Sequence, residues 1–238
     1  LIKKSTLALR IAFNISHVHM NNKNHVEQGM RCIAQSSRSE CCRIYIFHMK
    51  IFAYVIHYCK RFYKNRAILR PAIKLFNWVA TTNERLITLC KDGDVITVIL
   101  KIMKRHSGNG DVLGPCILFL TRAASIYPPA MAIILRMKAT PMIIRATMGL
   151  YSDEILQLEA LKMIQTISKT AEGWKQITNT RGGWQAITQG TELGNALVHD
   201  LPGALNNPGW AIGDTPHLPV VDQQKQIANS ILVNRIKG

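Results

Sequence analysis

Acidic residues are scarce in this chain of 238 residues. Fourteen Asp and Glu stand against thirty Lys and Arg, which gives a formal net charge of +16, so an anionic partner or surface has to be considered. The six cysteines form no C-x-x-C pair, which argues against a zinc ribbon or a secreted disulfide framework and favours a reducing compartment. Because 47% of the residues are apolar, the chain can still fold around a core.

Long apolar runs are also missing. The most apolar stretch, residues 44–58, is interrupted by His48, Lys50 and His57. It is shorter than the roughly 20 residues that a helix needs to cross a bilayer. We therefore predict that the chain has no membrane span.

The sequence lacks the usual signatures of catalysis. No G-x-S-x-G motif and no G-K-[ST] phosphate loop is present. His199 and His217 lie near Asp200 and Asp214, but such a pair needs an activated nucleophile beside it to catalyse hydrolysis. We predict that the protein is not an enzyme and has no catalytic residue, no cofactor and no metal site.

The positive charge is concentrated at one end. Residues 1–70 hold thirteen Lys/Arg and two acids, whereas residues 71–238 hold seventeen and twelve. We predict a basic, Cys/His-rich segment of uncertain order over 1–66, helical repeats over 67–190, and a Pro/Gly-rich loop followed by a helix over 191–238. Since the chain begins with Leu and ends in a helical pattern, we expect a fragment.

A pattern of helix, break and helix recurs after residue 67. Small residues mark the breaks at Gly93, Ala139 and Gly182, which are 46 and 43 residues apart, as in helical repeat proteins. One helical hairpin cannot bury its apolar stripe alone, so successive units must stack. The sequence predicts an all-α fold of three to four degenerate repeats.

The segment LFNWVATTNERLITLCKDGDVITVILKIMKRH, residues 75–106, resembles the armadillo repeat. The family's helix end, Leu-x-Asn-Leu-Ala, is represented here by Leu-Phe-Asn-Trp-Val-Ala at residues 75–80. An Asn-Glu pair then opens the next helix, and a glycine stands at the junction. The resemblance covers about residues 67–190 and implies an armadillo-like α-solenoid. In that family the motif asparagine lines a concave groove and holds an extended peptide. Asn77 matches it, whereas Arg122 and Thr166 take its place in the next two repeats.

The resemblance implies a non-catalytic scaffold that binds another protein. The residues that we expect to bind the partner are Asn77, Trp78, Arg122, Thr166, Trp174 and Trp184. The two tryptophans at 174 and 184 follow glycines ten residues apart, which suits either packing or an aromatic hot spot. We expect an intracellular, cytoplasmic protein, with the nucleus or the cilium as alternatives, where the scaffold would serve the axoneme.

A second class of function stays open. The basic cluster inside the repeats consists of Lys101, Lys104, Arg105 and His106. Together with the basic excess, it predicts binding to nucleic acid or to an anionic surface as the alternative to a protein partner.

Overall fold

The computed structural model describes residues 2–92, 94–149, 154–183, 185–186 and 227. No strand occurs among these residues, and the all-α prediction is confirmed. The helices are α1 (Ile2–Val18), α2 (Lys23–Ser36), α3 (Glu40–His48), α4 (Ile51–Arg61), α5 (Arg66–Val79), α6 (Asn83–Asp92), α7 (Val95–Arg105), α8 (Gly110–Ile126), α9 (Pro128–Arg136), α10 (Thr140–Gly149), α11 (Glu154–Ser168) and α12 (Ala171–Asn179).

From α3 onward the helices follow one another in groups of three, each with a short, a medium and a long helix. Groups begin at Glu40, Asn83 and Pro128, at intervals of 43 and 45 residues, and α12 begins at Ala171, a further 43 residues on. The first group, α3 to α5, therefore begins within the segment 1–66 that composition had set apart. The proposed boundary between residues 66 and 67 falls at the first turn of α5.

Asparagine caps three helices at matching positions. The side chains of Asn22, Asn65 and Asn109 accept hydrogen bonds from main-chain N–H groups in the first turns of α2, α5 and α8. The caps are 43 and 44 residues apart. An N-cap asparagine satisfies N–H groups that a helix cannot bond itself. Asp111, whose side chain could also cap a helix, lies in the first turn of α8.

The chain divides into two compact units, residues 1–139 and 140–238. In the first unit, α5 lies between α2 and α8, and α4 packs against α5 and α7. Phe76 and Phe119 are fully buried where α5 meets α8, with ring centroids 6.3 Å apart. Burying aromatic side chains of this size stabilises a core by about 1.5–3 kcal/mol each.

The basic N-terminal residues form ordered helices because their apolar side chains share one face. Val26, Met30 and Ile33 are fully buried on α2, at the spacing of one helical stripe. Arg31 on the same helix is exposed, and so is Arg38, which follows the end of the helix by two residues. This stripe is a signal in the sequence that the compositional reading overlooked.

In the second unit, α11 packs against α10 and α12. Two glycines permit close approach of main chain in this unit. A Cβ atom on Gly173 would lie 2.2 Å from the carbonyl oxygen of Ile167, and one on Gly183 would lie 2.1 Å from that of Ile177. The glycines of the repeated Gly-Trp pair thus have a steric role.

No helix in the described ranges is long and apolar enough to cross a membrane. The predicted Pro/Gly-rich loop and C-terminal helix over 191–238 lie outside the described residues, apart from a single helical position at 227.

An ion pair links the first helices of two successive groups. Glu40 on α3 accepts hydrogen bonds from the Arg43 Nε at 2.6 Å and from the Arg85 Nη1 on α6 at 2.9 Å. Partial burial acts to raise the pKa of Glu40, but these two arginines outweigh it and hold the pKa below its ordinary value of 4.5.

Replacing Glu40 with glutamine is expected to lower the free energy of unfolding at neutral pH by up to about 1 kcal/mol, since the carboxylate is half exposed. A carboxylate whose pKa is lower in the folded state stabilises it above the unfolded pKa and loses that effect as the pH falls through the folded pKa. The difference between wild type and Glu40→Gln in urea denaturation should therefore shrink below pH 4.5. Glu84→Gln on α6 is the matched control, and an equal loss there would contradict this role of Glu40.

Candidate functional site

A groove runs along α2, α5 and α8 in the first unit. It encloses about 560 Å³, within the roughly 300–1,000 Å³ of ligand sites. We call it the basic groove. Its lining residues are Arg31, Ala34, Gln35, Arg38, Arg66, Ala67, Arg70, Pro71, Lys74, Trp78, Asn109, Asp111 and Val112.

Helix α5 supplies the centre of the basic groove. Arg66, Arg70, Lys74 and Trp78 follow one another at steps of four residues, and side chains at this spacing form one ridge along a helix. The two arginines are exposed, whereas Lys74 and Trp78 are half-buried. The groove is therefore a row of cations that ends at an aromatic ring.

The charges of the basic groove are only partly compensated. Arg70 forms an ion pair with Asp111 at 3.2 Å, and Arg31 pairs with Glu27 at 2.7 Å. The guanidinium of Arg38 lies 6.0 Å from the centre of the Trp78 ring, close enough for a cation–π contact. Five of the lining residues are basic and one is acidic, so the groove favours an anionic occupant.

Two prolines in equivalent helix positions leave main-chain carbonyls without their helical hydrogen-bond donor. Pro71 and Pro115 are each the sixth residue of their helices, α5 and α8. Proline has no N–H, so the helical hydrogen bond to the carbonyl four residues earlier is not made. Those carbonyls belong to Ala67 and Asp111, and both residues line the basic groove.

Asn77, the residue that matches the armadillo motif, joins two helices within the protein. Its Nδ2 donates to the carbonyl of Pro115 on α8 at 2.8 Å and to that of Ile73 at 3.3 Å. Its Oδ1 is buried and has no hydrogen-bond partner among the described residues. Asn77 therefore links α5 to α8 through the carbonyl of Pro115.

The two residues at the equivalent positions also bond to main chain. Arg122 on α8 donates to the carbonyls of Asn77, at 3.5 Å, and Ala80. In the second unit, the Thr166 hydroxyl donates to the Lys162 carbonyl at 2.8 Å. Asn77 and Arg122 therefore link α5 with α8, whereas Thr166 bonds within its own helix, α11.

Of the remaining predicted partner residues, Trp78 lies in the basic groove. Trp174 on α12 is half-buried in the second unit. Trp184 lies outside the described residues.

The predicted basic cluster separates into exposed and buried parts. Lys101, Lys104 and Arg105 are exposed on α7. His106 is 8% exposed, and its Nε2 lies 2.9 Å from the carbonyl oxygen of Tyr63. The histidine therefore contacts the turn between α4 and α5. Lys60 on α4 and the three exposed cations of α7 line one cleft.

Three of the four arginines of the basic groove, Arg31, Arg38 and Arg66, lie in the segment 1–66 that the sequence analysis set apart, and the groove was therefore not predicted. The four-residue spacing from Arg66 to Trp78 was the signal available on α5. The cations of α2 join that row only through the packing of α2 on α5.

No protein-family model matches the chain, nor does any curated protein or any solved structure.

Proposed function

We propose that this protein is a non-catalytic scaffold of the armadillo-like class, and that the basic groove binds an extended acidic segment of another protein. The observation that carries the proposal is the row Arg66, Arg70, Lys74 and Trp78. Two further arginines line the same groove, Arg31 on α2 and Arg38 just after the end of α2.

The order of the helices supports the armadillo-like class. Each group contains a short, a medium and a long helix, and the groups recur at 43 to 45 residues, within the range of about 40–47 residues typical of such repeats. In the first unit α2, α5 and α8 lie side by side. Stacked repeats of this kind present extended surfaces to other macromolecules.

The chemistry of the basic groove supports a peptide in extended form. Arginine side chains form paired hydrogen bonds with carboxylates, and four of the five cations are arginines. The carbonyls released by Pro71 and Pro115 offer acceptors that suit the N–H groups of a partner's main chain. Trp78 offers an apolar surface at the end of the row.

Nucleic acid is the alternative occupant, because an arginine row beside an aromatic ring also suits single strands. The number of aromatic residues in the groove favours the peptide. Trp78 is the one aromatic residue that lines the groove within the described part of the chain, whereas single-strand binding sites stack successive bases on several rings.

The test is fluorescence anisotropy of the full chain with a labelled Glu/Asp-rich peptide. Arg66→Glu combined with Arg70→Glu should weaken binding by at least about tenfold, because two attractive charge contacts become repulsive. Lys101→Glu combined with Lys104→Glu is the matched control, with the same change of charge on exposed residues of α7. That control should retain the affinity of the wild type.

Three results would contradict the proposal. One is equal loss of peptide binding in both double variants, which would indicate non-specific attraction to the net charge. Another is the absence of peptide binding altogether. The third is tighter binding of oligo(U) RNA than of the peptide, with a steep salt dependence that the groove variants flatten, which would establish the nucleic-acid alternative. Point variants are used rather than a deletion of residues 1–70, because that segment includes α2, which forms one wall of the groove.

A further inference from the structure

A second cleft of the first unit lies between α4 and α7, and none of its lining residues belongs to the basic groove. It encloses about 660 Å³. We call it the α4/α7 cleft. It is lined by Cys59, Lys60, Tyr63, Val98, Lys101, Ile102, Lys104 and Arg105.

The floor of the α4/α7 cleft is apolar. Cys59, Val98 and Ile102 are at most 3% exposed and present a thiol and two branched aliphatic side chains. Burial raises the pKa of the Cys59 thiol to about 12, so this sulfur is neutral and behaves as a small apolar group. A floor of this kind suits a hydrocarbon group.

The rim of the α4/α7 cleft is cationic. Lys60, Lys101, Lys104 and Arg105 are exposed around it, and no acidic residue of the described part of the chain belongs to its lining. Lys60 lies 3.5 Å from Asp94, in a pair whose side chains are 54% and 70% exposed. Three of the four cations are lysines, whose aliphatic stems can cover an apolar floor while the ammonium groups remain at the surface.

Helix polarity explains part of this rim but not all of it. Basic residues are favoured in the last turn of a helix, where they compensate the partial negative charge of its end, and this accounts for Lys104 and Arg105. Lys101 lies a turn earlier, and helix polarity does not explain an apolar cleft beside it. Tyr63, which is 44% exposed, adds an aromatic ring with a polar tip, as is common at membrane interfaces.

We propose that the α4/α7 cleft docks the first unit on a membrane surface that contains anionic phospholipids. The lysines and Arg105 contact the phosphate and carboxylate head groups, and the upper part of one acyl chain lies over the floor, against Tyr63 and the aliphatic stems of the lysines. The combination of an apolar floor with a lysine-rich rim favours a lipid surface over nucleic acid, which offers charge without hydrocarbon. This docking is independent of the basic groove.

The test is flotation of the full chain with phosphatidylcholine vesicles that contain about 30% phosphatidylserine, a surface negative enough to attract clustered lysines. The wild type should float with these vesicles and not with pure phosphatidylcholine. Lys101→Glu combined with Lys104→Glu should reduce the bound fraction at least about tenfold, since each cation near an anionic surface contributes appreciably to binding. Arg66→Glu combined with Arg70→Glu, with the same change of charge, should float like the wild type.

A neutral substitution tests the apolar contribution. Tyr63→Ser leaves the charge unchanged and should lower vesicle binding several-fold at moderate salt. An unchanged far-UV circular dichroism spectrum confirms that each variant is folded.

The proposal is overturned if the wild type does not float with anionic vesicles, or if both charge-reversed variants lose flotation equally. It is also overturned if the cleft binds a fluorescent fatty acid in solution while vesicle flotation is absent, which would indicate a free amphiphile. Loss of acidic-peptide binding in the cleft variant, without loss of flotation, would assign the cleft to a protein partner instead. Because the two double variants exchange roles between the peptide and vesicle assays, failure of one proposal is distinguishable from failure of the other.

Discussion

Replacing Gly29 with alanine is expected to destabilise the first unit by about 1–3 kcal/mol, the range for overpacking a close interface. A loss of stability is unusual for this substitution, because alanine in a helix interior normally stabilises a protein by about 1 kcal/mol relative to glycine. A Cβ atom on Gly29 would lie 1.5 Å from the Oγ of Ser16 and 2.9 Å from its Cβ. Rotation of the hydroxyl relieves only the first of these overlaps, so α1 and α2 must move apart.

The same substitution at Gly108 is the control. Apart from residue 108 and its two chain neighbours, no described residue has an atom within 4 Å of a Cβ at this position. Gly108→Ala should therefore leave the free energy of unfolding unchanged or raise it by less than about 1 kcal/mol. Urea denaturation followed by circular dichroism measures both variants. Hydrogen exchange of the α1 and α2 amides locates the effect.

Adding Ser16→Gly to Gly29→Ala provides a sharper check, because it removes both atoms of the serine side chain that overlap. The double variant should recover part of the stability lost by Gly29→Ala, so that the two substitutions are not additive. Additive losses would show that the approach of α1 and α2 at this point does not limit the size of residue 29.

Replacing Arg122 with methionine is expected to cost about 1.5–3 kcal/mol, the contribution of hydrogen bonds made by a charged group. The guanidinium reaches from α8 to the carbonyls of Asn77 and Ala80 at the C-terminal end of α5. The last carbonyls of a helix have no partner within it, and a positive charge is favourable there. Methionine retains the length of the side chain but cannot donate.

Arg122→Lys separates charge from geometry and should fall between the wild type and methionine, because lysine lacks the planar fork of arginine. Arg136→Met on α9, where the arginine is exposed, should change the free energy of unfolding by less than about 0.5 kcal/mol. If Arg122→Met were as mild as Arg136→Met, the link between α5 and α8 would not depend on this side chain.

These two predictions concern the positions that hold the groove in place. Gly29 fixes how closely α1 supports α2, and Arg122 fixes the end of α5 against α8. Variants at either position should weaken peptide binding only to the extent that they lower the folded fraction of the protein. The groove variants Arg66→Glu and Arg70→Glu should weaken binding without unfolding, since both residues are exposed.

Asn77 shows why the role of a motif residue could not be read from the sequence. The motif predicted the helix end correctly, because the spacing of apolar residues and the following Asn-Glu pair are local features. Where the amide points depends on the carbonyl of Pro115, 38 residues further along the chain. A contact of that kind is decided by packing and leaves no local trace.

The basic N-terminal residues show the opposite case, in which local features of the sequence were sufficient to predict the helices. The buried stripe of α2 and the asparagine caps at Asn22 and Asn65 were both visible in the sequence. Composition obscured them, because net charge concerns solubility and association rather than fold. Helix type and boundaries here follow from local chemistry, whatever the charge of the exposed face.

The sequence by itself determined the helical class, the turns between most helices and the period of about 43 residues, because caps, breaks and apolar stripes act over a few residues. Only the tertiary structure decided which cations share a surface. Arg31 and Arg38 join Arg66, Arg70 and Lys74 because α2 packs on α5, and Lys60 joins Lys101 because α4 packs on α7. Helix packing depends on the shapes of buried side chains far apart in the chain. Packing therefore decides which charged residues lie close enough to form one site.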